Sequence, residues 1–132
     1  MKIDISGSLV TIKLRQRVAE VLRIAADFVS LEGRSSFREK DFFVEVNLVG
    51  DDEMLKNVLS YEAPKNFLLG NIKEKFLGEI YLNPKYIKIH KENFDLMVVH
   101  GFLHLLGYVH EKENDRIKME LIEEKICALL LD

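Results

Sequence analysis

Three of the four histidines in this 132-residue chain lie within one short stretch, at His100, His104 and His110. Residues four apart on a helix share a face, so His100 and His104 are expected to point in the same direction. Gly107 follows three residues later, where a helix commonly ends in a left-handed residue that glycine adopts without strain. The chain can then turn back and bring His110 to the same point. Three imidazoles that converge from a helix and its exit turn predict a zinc site.

The number of ligands indicates what kind of site this is. Structural zinc is closed by four protein ligands, whereas catalytic zinc keeps three protein ligands and an open position. No fourth ligand is obvious between His100 and His110. The stretch therefore predicts one catalytic Zn²⁺ per chain.

The elements that must position this stretch include both helices and strands. Apolar residues recur at helical spacing over 14–29, and they alternate with polar residues over 42–48, which is typical of a half-buried strand. Asn93 is a suitable cap for the metal helix. Further strands are expected over 2–5, 58–61 and 77–82. A turn at 50–53 is expected to lead into a short helix, and Asn83-Pro84 predicts another turn. The last expected helix has an inner face formed by Met119, Ile122, Ile126, Leu129 and Leu130.

This order of elements predicts the fold class. It is an α+β fold, with a small mixed β-sheet and packed helices, and the central helix carries the three-His metal site. A chain of 132 residues is expected to form one domain, residues 1–132. The lone Cys127 allows no internal disulfide, and the N-terminal residues include no apolar targeting segment. We therefore predict a cytoplasmic protein without a membrane partner.

Charge is unevenly distributed along the chain. The formal net charge of −3 is not typical of a nucleic-acid-binding protein. Residues 63–91, however, hold six lysines and two acids, a local charge of +4. This lysine-rich segment could form a track for phosphates or simply be a solvated face.

The histidine spacing, including the glycine, is also that of the metzincin zinc proteases. Those enzymes need a glutamate directly after the first histidine as the general base. Gly101 occupies that position here. Because the spacing matches but the glutamate is absent, a metzincin-like zinc protease is the alternative function rather than the preferred one.

The whole stretch, His-Gly-x-Leu-His-Leu-x-Gly-Tyr-x-His, resembles the YbeY family of zinc-dependent, single-strand-specific endoribonucleases, which are implicated in ribosomal RNA maturation. The resemblance extends over about the C-terminal two thirds of the chain. It includes the runs Val58-Leu59-Ser60-Tyr61 and Leu77-Gly78-Glu79-Ile80, and Met119-Glu120 after the third histidine. It implies that His100, His104 and His110 are zinc ligands. It also implies single-stranded RNA, in particular ribosomal RNA, as substrate, and ribosomal particles or assembly proteins as partners.

The chemistry that the resemblance implies needs groups besides the three histidines. Zinc lowers the pKa of a bound water to about 7 and polarises a phosphoryl oxygen. Either the resulting hydroxide or the ribose 2′-OH would attack the phosphorus, and the sequence leaves both open. Glu79, Glu111 and Asp115 are candidate proton acceptors or outer-shell groups. The favoured alternative for each is a solvated surface acid, and for Glu111 and Asp115 also a cap at a helix N-terminus. The strand over 77–82 is expected to border the metal cleft, with RNA contacts from Lys73, Lys75, Lys85 and Lys88.

Two departures from the family pattern bear on activity. Val109 stands where the family usually has an aspartate before the last histidine. A Tyr-Arg pair and a Pro-Thr-containing loop that precede the Val-Leu-Ser run in the family have no counterpart here. The missing arginine leaves a third hypothesis, a non-catalytic zinc-bearing factor of ribosome assembly.

Overall fold

The computed structural model describes residues 1–31, 42–63 and 75–130 of the chain. Its strands and helices confirm the predicted α+β class. They are β1 (Lys2–Ser6), α1 (Ile12–Leu31), β2 (Phe42–Leu48), β3 (Val58–Glu62), β4 (Lys75–Leu82), α2 (Pro84–Ile89), α3 (Phe94–Leu105) and α4 (Glu113–Leu129). None of the helices in these ranges is both long enough and apolar enough to cross a membrane.

The four strands form one mixed sheet in the order β1-β2-β4-β3. Strands β1, β2 and β4 run parallel, and β3 pairs antiparallel with β4 at the edge. Alternate residues face the helices, so Ile5, Val46 and Ile80 are buried in one row across the sheet. Helix α3 packs on β3 and β4 and also contacts α1 and α4, which makes it the central helix.

An ion pair fixes the start of α3 against α1. The guanidinium of Arg17 donates from two nitrogens to the two carboxylate oxygens of Asp95, with Nε 2.9 Å from Oδ1. Asp95 lies in the first turn of α3, where a negative charge also interacts favourably with the helix dipole. The side chain of Asn93 accepts from the backbone N–H of Leu96 at 3.1 Å, which confirms the predicted cap.

The predicted short helix after Gly50 is wrong: the chain makes only a turn over 51–53 before β3. The reason is a long-range contact. The buried amide of Asn83 donates to Asp51 Oδ1 at 2.7 Å and to the Met54 carbonyl at 2.8 Å. These acceptors are therefore held by another part of the chain, and the acids that suggested a helix start do not begin one.

The same Asn83 begins a helix where we predicted only a turn. Its side-chain oxygen accepts from the backbone N–H of Tyr86 at 3.0 Å, and Pro84 occupies the first helical position. Proline fits that position because it has no N–H to leave unpaired. Helix α2 therefore follows β4 directly.

One expected inward residue of α4 faces solvent. Met119, Ile126 and Leu130 are buried, and Ile122 is partly buried, as predicted, but Leu129 is 53% exposed. The buried residues follow the helical spacing 119, 123, 126 and 130. Glu123 rather than Leu129 therefore belongs to the inner face.

The face of the sheet opposite the helices carries a row of acids. Asp4, Glu45 and Glu79 are directly opposite one another on β1, β2 and β4. Burial, and then the charge of Glu79 and a hydrogen bond to it, raise the pKa of the Glu45 carboxyl above its ordinary value. The folded protein thus holds this proton more tightly than the unfolded chain. Stability therefore falls as pH rises from the ordinary carboxyl pKa to the raised one.

Glu45→Gln is accordingly expected to stabilise the protein at neutral pH. Like charges directly opposite on neighbouring strands destabilise a sheet, and such pairs contribute from a few tenths to about 1 kcal/mol. The gain should disappear in acid, where Glu45 is protonated in both states. Urea unfolding at several pH values measures it, with Glu124→Gln on the exposed side of α4 as control. A gain that is equal at all pH values would contradict the explanation.

Candidate metal centre

Helix α3 is held rigidly because one side of it is fully buried. Val98, Val99, Phe102 and Leu103 have no exposed surface. His100 and His104 are partly buried and line a cleft beside the helix. The core therefore fixes the orientation of the helix that carries two of the three imidazoles.

The exit from α3 has the geometry predicted from Gly107. This glycine has φ +93°, and its N–H donates to the His104 carbonyl at 3.0 Å. The N–H of Tyr108 reaches back to the Leu103 carbonyl at 3.1 Å. These two bonds form a Schellman motif, which ends the helix and reverses the chain. The reversal brings His110 to the other two histidines.

The three imidazoles form one compact cluster. Nε2 of His100 and Nε2 of His104 are 3.0 Å apart, and a donor atom from each of the three histidines lies within 4.8 Å of the others. In a tetrahedral zinc site with bonds of about 2.0–2.1 Å, neighbouring donor atoms are about 3.3 Å apart. The cluster is therefore compact enough to hold one ion.

Hydrogen bonds at the opposite ring nitrogens set the tautomers of two histidines. Nδ1 of His104 donates to the Tyr108 carbonyl at 2.9 Å, and Nδ1 of His100 donates to Glu123 Oε2 at 2.7 Å. Because a carbonyl and a carboxylate only accept, each Nε2 is left with a lone pair. Two lone pairs that face each other repel unless a cation or proton lies between them. The donor set thus fits a divalent metal ion.

The protonation state of His104 also suits metal binding. Burial, and then the neighbouring His100, lower the pKa of the His104 imidazole below its ordinary value. Neutral imidazole is the form that ligates a metal.

The cluster opens into a cleft of about 670 Å³ between α3 and an edge strand. We predicted the strand over 77–82 at its border, but the structure places β3 there. Strand β4 lies between β2 and β3 because β3 pairs on its outer side. The other lining residues are Lys56, Asn57, Val58, Leu59, Ser60, Glu62, Met97, Tyr108 and Val109.

Gly101 lies where α3 packs closely against the sheet. A Cβ at this position would be 2.9 Å from Ile80 Cγ2 and 3.1 Å from both Ser60 Oγ and Val58 Cγ2. The Ser60 hydroxyl donates to the Gly101 carbonyl at 2.9 Å. The space that a glutamate side chain would need is therefore filled by the sheet.

The structure places the three predicted acids, Glu79, Glu111 and Asp115, away from the cleft that the histidines line. Glu79 lies on the opposite face of the sheet, where the Tyr81 hydroxyl donates to it at 3.3 Å. Glu111 follows His110 directly but is exposed and does not line the cleft. Asp115 lies in the first turn of α4. Within the described part of the chain, none of the three forms a hydrogen bond or an ion pair with a histidine of the cluster.

The predicted lysine contacts are spread along β4 and beyond. Lys75 begins the strand, whereas Lys85 and Lys88 are exposed on α2, after its other end. None of these three lines the cleft. Lys73 lies outside the described residues.

Sequence reasoning missed three residues near the cluster. Glu123 hydrogen-bonds His100, Lys56 lines the cleft, and Arg116 lines a small pocket with His100 and His110. Glu123 had a detectable signal, because it lies four residues after Met119 and three before Ile126, within the apolar stripe of α4. Lys56 and Arg116 had none, since only the fold brings them to the site.

A small α+β fold in which a helix and its exit turn direct three imidazoles into a cleft defines a class of candidate metal-binding proteins. The sequence comparisons identify the family. A family model described as endoribonuclease YbeY matches residues 8–130. This chain belongs to the YbeY family, as the resemblance implied.

Individual relatives agree with this assignment. Endoribonuclease YbeY of Thermodesulfovibrio yellowstonii is 34% identical over 108 residues, which cover 66% of this chain and 66% of that protein. Endoribonuclease YbeY of Agrobacterium fabrum is 32% identical over 135 residues, covering 84% of this chain and 77% of that protein. A solution structure from Thermotoga maritima has a TM-score of 0.54 and 22% identity, and covers 97% of this chain and 91% of its own. This last similarity shows a shared fold.

Proposed function

We propose that this chain is a zinc-dependent endoribonuclease that cleaves single-stranded RNA, with ribosomal RNA as its natural substrate. The observation that carries the proposal is the convergence of three imidazoles. In two of them Nδ1 is hydrogen-bonded, so the lone pair of Nε2 is available to a metal ion. Membership of the YbeY family supports RNA as the substrate. A cytoplasmic location and ribosomal partners follow from the same proposal.

The residues of the site have separate tasks. His100, His104 and His110 would hold the ion, which supplies Lewis-acid polarisation of a phosphoryl oxygen and acidifies water. The Tyr108 carbonyl keeps His104 in its Nδ1–H tautomer, so its Nε2 stays available as a ligand. Strand β3 forms the opposite wall and limits how a substrate enters.

The cleft favours a single strand over a duplex. His100 and His104 are partly buried, so a phosphodiester must enter the cleft to reach their Nε2 atoms. A flexible single strand can bend into such a recess, whereas the phosphates of an A-form duplex are held on a rigid cylinder.

Lys56 is the described cation best placed to contact a phosphate in the cleft, because it lines the wall opposite the histidines and is exposed. Lys56→Ala is expected to weaken binding of single-stranded RNA and to reduce the salt slope by about 0.7. Lys2→Ala, on the opposite edge strand, is the matched control. Fluorescence anisotropy at several salt concentrations measures both variants, and an unchanged slope for Lys56→Ala would exclude this contact.

The lysines at 73, 75, 85 and 88 remain predicted RNA contacts. The Lys73→Ala, Lys75→Ala pair and the Lys85→Ala, Lys88→Ala pair test them in the same titration. As flexible point charges, these side chains would hold RNA without sequence preference.

A chelation experiment tests the proposed activity itself. Purified protein is incubated with matched single-stranded and double-stranded RNA, before and after removal of the metal, and then with added Zn²⁺. We expect cleavage of the single strand that is lost with the metal and restored by zinc. A zinc-loaded chain that cleaves no RNA would favour the non-catalytic assembly factor instead.

A further inference from the structure

Glu123 is a carboxylate in a position that the fold otherwise fills with apolar side chains. It lies on the inner face of α4 between Met119 and Ile126, and the residue is 8% exposed. Burying a carboxylate is costly unless it is paired and hydrogen-bonded. Among the described residues its hydrogen-bonding partner is His100, with Oε2 2.7 Å from Nδ1.

The two helix-borne histidines are oriented by different means. Nδ1 of His104 is bonded to a backbone carbonyl of its own exit turn, four residues away. Nδ1 of His100 is bonded to a side chain on another helix, 23 residues away in sequence. The orientation of His104 is therefore local, whereas that of His100 requires α4 to be docked.

We infer that Glu123 is a positioning residue that makes His100 a metal ligand. The carboxylate holds the imidazole in its Nδ1–H tautomer and in the rotamer that directs Nε2 towards His104. This inference rests on the metal-binding part of the proposed function and needs no RNA. It also couples the metal site to α4, because an ion held by His100 stabilises the arrangement in which Glu123 is docked.

Glu123→Gln is the test variant, because it keeps the side-chain volume but changes the hydrogen bonding. A carboxylate only accepts, whereas an amide can also donate to a bare Nδ1, so glutamine no longer selects one tautomer. Mutation of outer-shell partners lowers metal affinity about 10–100-fold. We expect a loss of about tenfold for Glu123→Gln and a larger loss, towards 100-fold, for Glu123→Ala.

Two measurements separate positioning from a merely structural role. Competition between the protein and a chelator for Zn²⁺ gives the affinity. Imidazole ¹⁵N shifts of the metal-free protein at mildly alkaline pH give the tautomer of His100. We expect a single Nδ1–H tautomer in the wild type and a mixture in Glu123→Gln, with Glu124→Gln on the exposed side of α4 unchanged in both.

The outcomes distinguish this inference from the proposed function. If Glu123→Gln keeps wild-type zinc affinity and a single Nδ1–H tautomer, Glu123 is only a packing residue and the inference is wrong. A wild-type chain that binds no zinc overturns both proposals. A chain that binds zinc through Glu123-oriented His100 but cleaves no RNA overturns the nuclease proposal alone.

Discussion

Replacing His104 with alanine is expected to remove the metal ion and abolish RNA cleavage. The ring of His104 is fixed by the hydrogen bond from its Nδ1 to the Tyr108 carbonyl in the exit turn of the same helix, so its Nε2 points into the cluster. The loss of affinity should exceed the roughly 10–100-fold that follows mutation of outer-shell groups, because a ligand itself is removed. Elemental analysis of dialysed protein measures the bound metal, and the single-stranded RNA assay measures the activity.

The same variant should also lose the stabilisation that the ion gives. A ligand that binds only the folded state stabilises it by about 2.7 kcal/mol at 100 times Kd. Zinc should therefore raise the Tm of the wild type but not that of His104→Ala, while the two metal-free proteins differ less. His90→Ala, the histidine outside the cluster, is the matched control. Full stoichiometric zinc in His104→Ala would show that the ligands are wrongly assigned.

The second large effect is expected at Gly101, where a metzincin would need its catalytic glutamate. Gly101→Glu should not create a peptidase, because the new side chain would enter the interface between α3 and the sheet rather than the open cleft. Overpacking costs about 1–3 kcal/mol, and an uncompensated buried charge costs several more. Together these approach the total stability of about 5–15 kcal/mol of a typical protein.

Gly101→Ala provides the graded comparison. Its Cβ would still be 2.9 Å from Ile80 Cγ2, although alanine recovers about 1 kcal/mol of helix propensity. We expect Gly101→Glu to be far less stable than Gly101→Ala, and Gly101→Ala to be less stable than wild type, in urea unfolding. No form should cleave peptides. Efficient metal-dependent peptide cleavage by the wild type would instead make the metzincin-like protease the better function.

The sequence alone identified the histidine cluster because its geometry is local. An i, i+4 pair of histidines, a glycine at the helix exit and a third histidine six residues later are fixed by helix periodicity and by one turn. In the structure a donor atom from each of the three histidines lies within 4.8 Å of the others, as this local geometry predicts. The helix cap at Asn93 and most of the strands were predictable for the same reason.

The incorrect predictions concern features that depend on contacts between distant parts of the chain. Asp51 and its neighbours have the composition of a helix start, yet the buried Asn83, 32 residues away, binds their acceptors. The strand over 77–82 is correctly predicted, but β3 pairs on its outer side, so β4 lies inside the sheet rather than beside the cleft. No local pattern contains the order of strands in a sheet.

What the sequence determined by itself is therefore the identity of the three imidazoles, the turn that gathers them and the family to which the chain belongs. The tertiary structure decided what surrounds them. It put β3 rather than β4 beside the cleft, brought Lys56 to the opposite wall, and placed Glu123 of α4 against His100. Hydrogen bonds within one helical turn follow from backbone periodicity, whereas contacts between elements depend on how the whole apolar surface is buried.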